Sequence, residues 1–298
     1  MTRLALIGPG RVGRTLVQLL PKDKVRLGAV LSRDLTSARR AVRLMKRGSA
    51  ARTLQRLNEA DVVLIAVPEP ALDGVVEQLS QAKVDYQDKV ILHTSTAHGR
   101  EALAPLETLG AAVGSLQPLY ILQSPVLTLS GVYFVYEGTR VAAAVARQLV
   151  RELGAEFQLV KADHKANHTV AVSMASDLLT GLLEGATRQM MTSGFTRRRA
   201  LAAISQVVEA TMEEYARSGR NSRPGPLLQR SRIAAEQYLP ALQAADPEAA
   251  EHYRSLSALT LRVLGRDKEA GQLASDTYGI EMASRCDGHR GCTYAWGC

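Results

Sequence analysis

The sequence predicts an α/β protein: a parallel sheet in the N-terminal half, followed by an all-helical C-terminal domain. Three observations predict it. A strand-like run at residues 4–7 enters the turn Gly8-Pro9-Gly10-Arg11-Val12-Gly13 and leaves it as an amphipathic helix. Short apolar runs then alternate with helical patterns, as strands joined by crossover helices do. Past residue 162 the strand-like runs stop, and alanine, leucine, methionine, glutamate and arginine dominate to about residue 264.

Taken in order, strands are expected at residues 4–7, 25–31, 62–67, 90–93, 111–116, 132–136 and 157–160. Val12, Leu16, Leu19 and Leu20 share one face of the helix after the glycine turn. Pro68 and Pro70 end the third strand, because proline cannot donate to a central ladder. Helical spacing recurs at 170–191, 199–217, 232–244 and 248–264, interrupted by the loop Asn221-Ser222-Arg223-Pro224-Gly225-Pro226. Gly181 and Gly185, four apart, would let another helix approach closely, in a second subunit or in the same chain. The expected organisation is a sheet domain over residues 1–162, a helical domain over 163–265 and a poorly ordered polar tail over 266–298. The tail holds Cys286, His289, Cys292 and Cys298, whose spacing matches none of the paired zinc patterns, so no metal site is expected.

The bulk numbers narrow the function classes. With 298 residues the chain has room for two domains. Its 46% hydrophobic and 22% charged residues are ordinary for a soluble protein. No apolar run reaches the roughly 18–20 residues of a membrane span, and the first residues run straight into a strand rather than into a cleavable leader. A cytoplasmic location with no membrane partner is the expectation. The net charge of +8 invites an anionic partner, yet Arg39-Arg40 and Arg197-Arg198-Arg199 both read as solvated helix faces. Aromatic residues are only 4% of the chain and no nucleic-acid motif accompanies the arginines, so no nucleic-acid partner is expected.

The glycine turn sits between a strand and a helix, the context in which G-x-G-x-x-G binds a dinucleotide. The sheet is therefore expected to be of Rossmann type. Gly8 permits the tight turn, Gly10 admits the pyrophosphate, and Gly13 allows close approach of helix and strand. Pro9, Arg11 and Val12 complete the phosphate-facing set at the helix N-terminus. At the tip of the second strand stand Ser32 and Arg33, the latter 20 residues past Gly13. NAD binders place an acidic residue there, whereas a hydroxyl and a guanidinium suit a ribose 2′-phosphate. NADP is the expected cofactor, and Asp34, one place later, keeps NAD open as the alternative. Val67 and Pro68 end the third strand at the sheet's carboxyl end, where a cofactor's ribose and nicotinamide would lie.

Several motifs together resemble a known family: Leu6 to Gly13, Leu64-Ile65-Ala66-Val67-Pro68, His93-Thr94-Ser95, Gly114-Ser115-Leu116-Gln117-Pro118-Leu119, Asn167-His168 and Gly225-Pro226. The chain resembles the bacterial Rossmann-like proteins that end in domain of unknown function 2520. They are similar to pyrroline-5-carboxylate reductases and deazaflavin-dependent NADP oxidoreductases, and some look like alternative ketopantoate reductases. The resemblance covers about residues 3–265 and implies a homodimer built by the helical domain. Departures accompany it. Gln117-Pro118 stands where the family has His-Pro, Ser176-Asp177 where it has Ser-Asn, and residues 229–232 lack its Arg-Gly-Asp.

Reduction of a carbonyl or imine needs a proton donor beside the acceptor atom and groups that hold the substrate. His168, early on the first long helix of the second half, is the expected donor, since imidazole titrates near working pH. Lys165, His168, Val172 and Ser176 share a stripe by three- and four-residue spacing, which makes Lys165 and Ser176 auxiliary candidates. Without the resemblance, a lone histidine reads more simply as a surface or core residue. His93, Thr94 and Ser95 follow the 90–93 strand at the sheet's carboxyl end and are expected to face a small-molecule substrate, as is Gln117. The hydroxyls serve equally well as turn or capping groups. The expected activity is NADP-dependent reduction of a small keto or imino compound. A non-catalytic NADP-binding sensor and a basic interaction module are the rival readings.

Overall fold

The computed structural model describes residues 1–119, 127–161, 164–231 and 234–274. The chain divides into two compact units, Met1–Ser176 and a second from Asp177 onward. The first unit therefore extends past the composition change at residue 162 and takes in the first helix after the sheet.

In the first unit the strands are β1 (Thr2–Ile7), β2 (Val25–Leu31), β3 (Ser49–Ala50), β4 (Val62–Ile65), β5 (Val90–His93), β6 (Ala112–Pro118), β7 (Tyr133–Gly138) and β8 (Glu156–Leu159). Their order is β3-β2-β1-β4-β5-β6-β7-β8. Pairing is parallel from β3 to β6. It turns antiparallel between β6 and β7, and β8 runs parallel to β7. The expected parallel sheet thus carries a reversed pair at one edge, a common variation. The strand β3 escapes a periodicity reading because two residues show no period. It forms on β2 through the Ala51 N–H bond to the Val30 carbonyl, 2.9 Å.

Alternation along the strands feeds two cores. Leu4 and Leu6 of β1 belong to one, with Leu16 and Val17 of helix α1 (Arg11–Leu19) and Ala146 and Leu149 of the helix Arg140–Glu152. Ala5 and Ile7 point to the other, with Leu72, Val76 and Leu79 of the helix Leu72–Ser80. Strands covered on both faces read as near-continuous apolar runs, which is why they were visible in the sequence.

The strand order reverses between β1 and β4, so the carboxyl ends of these two strands flank the crevice where open α/β sheets bind ligands. Gly8 stands there with φ of +82°, and a Cβ on it would lie 2.6 Å from Val67 Cγ1 and 2.7 Å from the Ala66 carbonyl oxygen. A Cβ on Gly13 would meet the Gly8 carbonyl oxygen and Leu6 Cδ1 at 2.9 Å. Both glycines are demanded by the protein itself. Gly10 is different, since its Cβ would meet only the Ala66 carbonyl oxygen, at 3.9 Å.

Beyond the sheet, helical spacing expected over 170–191 resolves into three pieces. These are Lys165–Ser173, a π-helical turn Met174–Leu178 and Leu179–Thr192. The stripe expected to end on Ser176 runs into the wider turn, and the Ser176 hydroxyl donates to the Val172 carbonyl, 2.7 Å. In the second unit the helix Arg197–Ser218 opens with Thr196 as its N-cap. Three arginines in a first turn oppose the helix dipole. Glu184 offsets this by binding Arg197 at 2.7 Å and Arg188 at 3.2 Å. Helices Leu239–Ala245 and Pro247–Val263 follow, the second capped by Asp246. The span expected as a polar tail is helical at its start. Asp267–Ala274 is a helix whose Ala270 and Leu273 are buried with Leu261. Its two apolar contacts fall at i and i+3, too few to register as a period. Cys286, His289, Cys292 and Cys298 lie outside the described residues. Among the described residues no helix is long and apolar enough to cross a membrane. No group of three or more His, Cys, Asp or Glu among them could hold a metal ion.

Candidate functional site

At the amino end of α1, Gly10 is the N-cap residue, and neither a side-chain cap nor an acidic residue in the first turn competes for the helix-start amides. Such a terminus favours an anion. Glycine at position 10 has no reason inside the protein, and the open space over it is the cradle a pyrophosphate needs. The residues therefore fit a dinucleotide. Alanine at Gly8 is expected to cost about 2–4 kcal/mol of stability, from left-handed strain and overlap with the Ala66 backbone and the Val67 side chain. Alanine at Gly10 is expected to change stability by less than about 1 kcal/mol while weakening dinucleotide binding at least about tenfold. Denaturant midpoints and binding titrations on both variants check this.

The tip of β2 settles what Asp34 does. It is the N-cap of helix α2 (Leu35–Met45), accepting from the Ser37 N–H at 2.7 Å and the Ser37 hydroxyl at 2.8 Å. These bonds hold its carboxyl below the usual range. Both carboxylate oxygens are thus turned to α2, whereas Ser32 is half-buried and Arg33 exposed. Arg39 and Arg40 lie on the exposed face of α2, as a solvated face would.

At the carboxyl ends of β4, β5 and β6 a second group of polar side chains converges. The turn after β4 carries Glu69, which the sequence reading passed over in favour of Val67 and Pro68. Its carboxylate accepts from the Ser95 hydroxyl, the Thr96 N–H at 2.6 Å, the Thr96 hydroxyl at 2.9 Å and the Ala97 N–H at 3.3 Å. His98 Nδ1 lies 3.1 Å from it. Burial pushes this carboxyl up, but the bonds from Ser95, Thr96 and His98 outweigh burial and bring it down to about 2. The folded value lies below the unfolded one, so the stability Glu69 contributes is fully present above about pH 4.5 and lost as pH falls toward 2. The shift is worth about 3 kcal/mol at most. With the side chain 37% exposed, solvent screening reduces it to about 1–2 kcal/mol. Glu69→Gln is expected to be less stable than wild type by that amount at pH 7, the gap closing by pH 2–3, as urea unfolding at both values will show.

Two expected substrate contacts are otherwise engaged. His93 is fully buried, its Nε2 donating to the Gly99 carbonyl at 2.8 Å and its Nδ1 accepting from the Ser95 N–H at 3.1 Å. Strand register sets it beside Ser115, which pairs in turn with Glu137, both buried, and the two ring bonds close the 93–99 loop. Ser95, likewise buried, is bound to Glu69 and accepts from the His98 N–H at 2.9 Å. In sequence a polar residue at a strand's carboxyl end looks the same whether it meets solvent or its own loop. Thr94, half-buried, keeps its place at the end of β5, its N–H bonded to the Ile65 carbonyl at 3.1 Å.

His168 belongs to the first unit. Its Nε2 lies 3.1 Å from Gln117 Oε1, and because an amide oxygen only accepts, the ring N–H donates. Gln117 itself is buried. The next residue, Thr169, donates its hydroxyl to the Thr96 carbonyl at 3.0 Å. Lys165 opens the same helix, and its side chain lies outside the described residues. The structure thus brings together His168, Gln117, Thr96 and Glu69, and leaves His93 behind the loop. Neither Glu69 nor His98 had a sequence signal beyond its nearness to a strand end.

Two family models match the chain, and the boundary between them falls inside the first unit. Residues 2–118 match the Rossmann-like domain, and residues 132–260 match a domain of unknown function, DUF2520. No curated protein matches the chain. Among solved structures, the reductive aminase from Aspergillus terreus, in complex with NADPH and ethyl levulinate, aligns over 92% of this chain and 98% of its own at 16% identity, with a TM-score of 0.67. The imine reductase from Pseudomonas sp. aligns over 91% and 98% at 14% identity, with a TM-score of 0.65. The 1-pyrroline-5-carboxylate reductase from Streptococcus pyogenes aligns over 92% and 98% at 14% identity, with a TM-score of 0.60. At such identities the likeness is one of fold. With a glycine turn at the switch point and both domain models matched in order, the chain carries a Rossmann-like domain followed by a DUF2520 domain.

Proposed function

We propose that this chain is an NADP-dependent reductase of small keto or imino compounds. The observation that carries the reading is the division of labour at the β2 tip: Asp34 is engaged in capping α2 while Arg33 stays exposed just past the strand that pairs with β1. Gly8, Pro9, Gly10, Arg11, Val12 and Gly13 would hold the pyrophosphate, Ser32 and Arg33 the 2′-phosphate, and Val67 and Pro68 the adjoining ribose. NADPH, when bound, supplies a hydride to a carbonyl or imine carbon. His168 holds a proton on Nε2, resting on Gln117. A substrate oxygen or nitrogen brought to that edge of the ring takes the proton in place of the amide oxygen. Thr94 offers a half-buried hydroxyl to the substrate, and Ser95 and Gln117 act as supports. Proteins of the same fold support the reading, since the reductive aminase and the imine reductase from Aspergillus terreus were solved in complex with NADPH and NADPH4 respectively.

The second unit supports assembly as a homodimer. Leu182, Val207, Met212, Tyr215, Leu259 and Val263 are exposed on its helices, and open space lies over Gly181 and Gly185. Titration of the purified chain with NADPH and NADH, a turnover panel of imines and keto acids, and a light-scattering mass test these points together. Expected are NADPH binding at least tenfold tighter than NADH, turnover of at least one imine or keto acid, and a dimer mass. Binding of neither dinucleotide would overturn the reading. Tight NADPH binding without turnover would leave a non-catalytic NADP-binding protein.

A further inference from the structure

The segment from Thr94 to Gly99 forms neither helix nor strand, and side chains give it its shape. His93 holds the Gly99 carbonyl, Glu101 accepts from the Gly99 N–H at 2.6 Å, and Glu137 accepts from the Arg100 N–H at 3.2 Å. The middle of the segment rests on one group. Four successive residues, Ser95, Thr96, Ala97 and His98, all reach the Glu69 carboxylate. Thr96 is held by Glu69 through both its N–H and its hydroxyl, while its carbonyl accepts from Thr169. Thr169 is the neighbour of His168 on the helix Lys165–Ser173.

We infer that Glu69 is a positioning residue for His168, acting through the Thr96 carbonyl and the Thr169 hydroxyl. One carboxylate fixes the 95–98 loop, the loop presents the Thr96 carbonyl in a single place, and that carbonyl anchors the turn of helix that carries the imidazole. Gln117 holds the ring at Nε2, and the Thr96–Thr169 bond fixes the backbone beneath it. Preformed supports of this kind let a donor reach working geometry without reorganising in each cycle. The importance assigned to His168 rests on the reductase reading, whereas the coupling from Glu69 to His168 can be observed in the chain by itself.

The test uses the full chain, isotope-labelled, with the His168 ring signals identified by their loss in His168→Gln. In Glu69→Gln, amide exchange at Thr96 and Ala97 is expected to rise at least tenfold, and the His168 ring signals to shift or broaden. In Thr169→Val the His168 signals are expected to change while exchange at Thr96 and Ala97 stays within about twofold of wild type. Exposed loop amides with unchanged His168 signals in Glu69→Gln would overturn the inference, and so would unchanged His168 signals in Thr169→Val. The second variant keeps the test decisive should Glu69→Gln not fold. Where a substrate is in hand, kcat is expected to fall in both variants with KM for NADPH within threefold of wild type. Absence of dinucleotide binding by the wild-type chain would overturn the reductase reading alone, and the His168 spectra would still decide the coupling.

Discussion

Replacing His168 with glutamine is expected to lower kcat by about 10²–10⁴-fold on whichever imine or keto substrate the chain turns over, while NADPH affinity stays within about threefold. Glutamine is chosen because its amide N–H can still donate to Gln117 Oε1, the partner of the histidine ring at 3.1 Å. The support therefore survives and only the titratable proton is lost. The size of the fall follows from what a positioned general acid contributes, about 3–5 kcal/mol of barrier. Cofactor binding is spared because the glycine turn stands on β1 and α1, not on the helix of His168. Steady-state rates and a fluorescence titration of NADPH check both parts. A loss of less than about fivefold would assign the proton to another group.

Arg33→Ala is expected to weaken NADPH binding by about 10- to 100-fold while changing NADH binding less than about threefold. Only NADPH carries the 2′-phosphate that a guanidinium grips, so a selective loss identifies the contact. Asp34→Ala is the companion. If Asp34 is the cap of α2, its removal lowers stability and leaves the preference between dinucleotides unchanged. If it were instead a ribose acceptor, NADH binding would suffer most. Calorimetric titration of both variants with both dinucleotides separates the two roles.

Much of this fold was legible in the sequence, and the parts that were share a physical cause. The bounds of β2 and β5 agree with the expected runs at 25–31 and 90–93 because all of β5 and five of the seven residues of β2 are buried. Gly8 and Gly13 were legible because their close neighbours, at residues 6, 8 and 66–67, lie within the strand–turn–helix motif or the adjoining strand end. The two-residue strand β3, the π-helical turn Met174–Leu178 and the late helix Asp267–Ala274 were not, being too short for a period or set by their surroundings.

The site divides in the same way. Local chemistry points to the glycine turn, the Ser32-Arg33 tip and the polar residues at the sheet's carboxyl end, because each such reading depends on residues a few positions away. Whether those polar residues face a ligand or one another was decided only by the tertiary structure. Glu69 meets its partners 26 to 29 residues later, Gln117 meets His168 across 51 and Thr96 meets Thr169 across 73. A hydrogen bond takes its strength from distance and direction in space. No linear pattern records which two of many polar side chains the fold will bring within 3 Å, so His93 and Ser95 read as ligand contacts and Glu69 went unread until the strands were placed side by side.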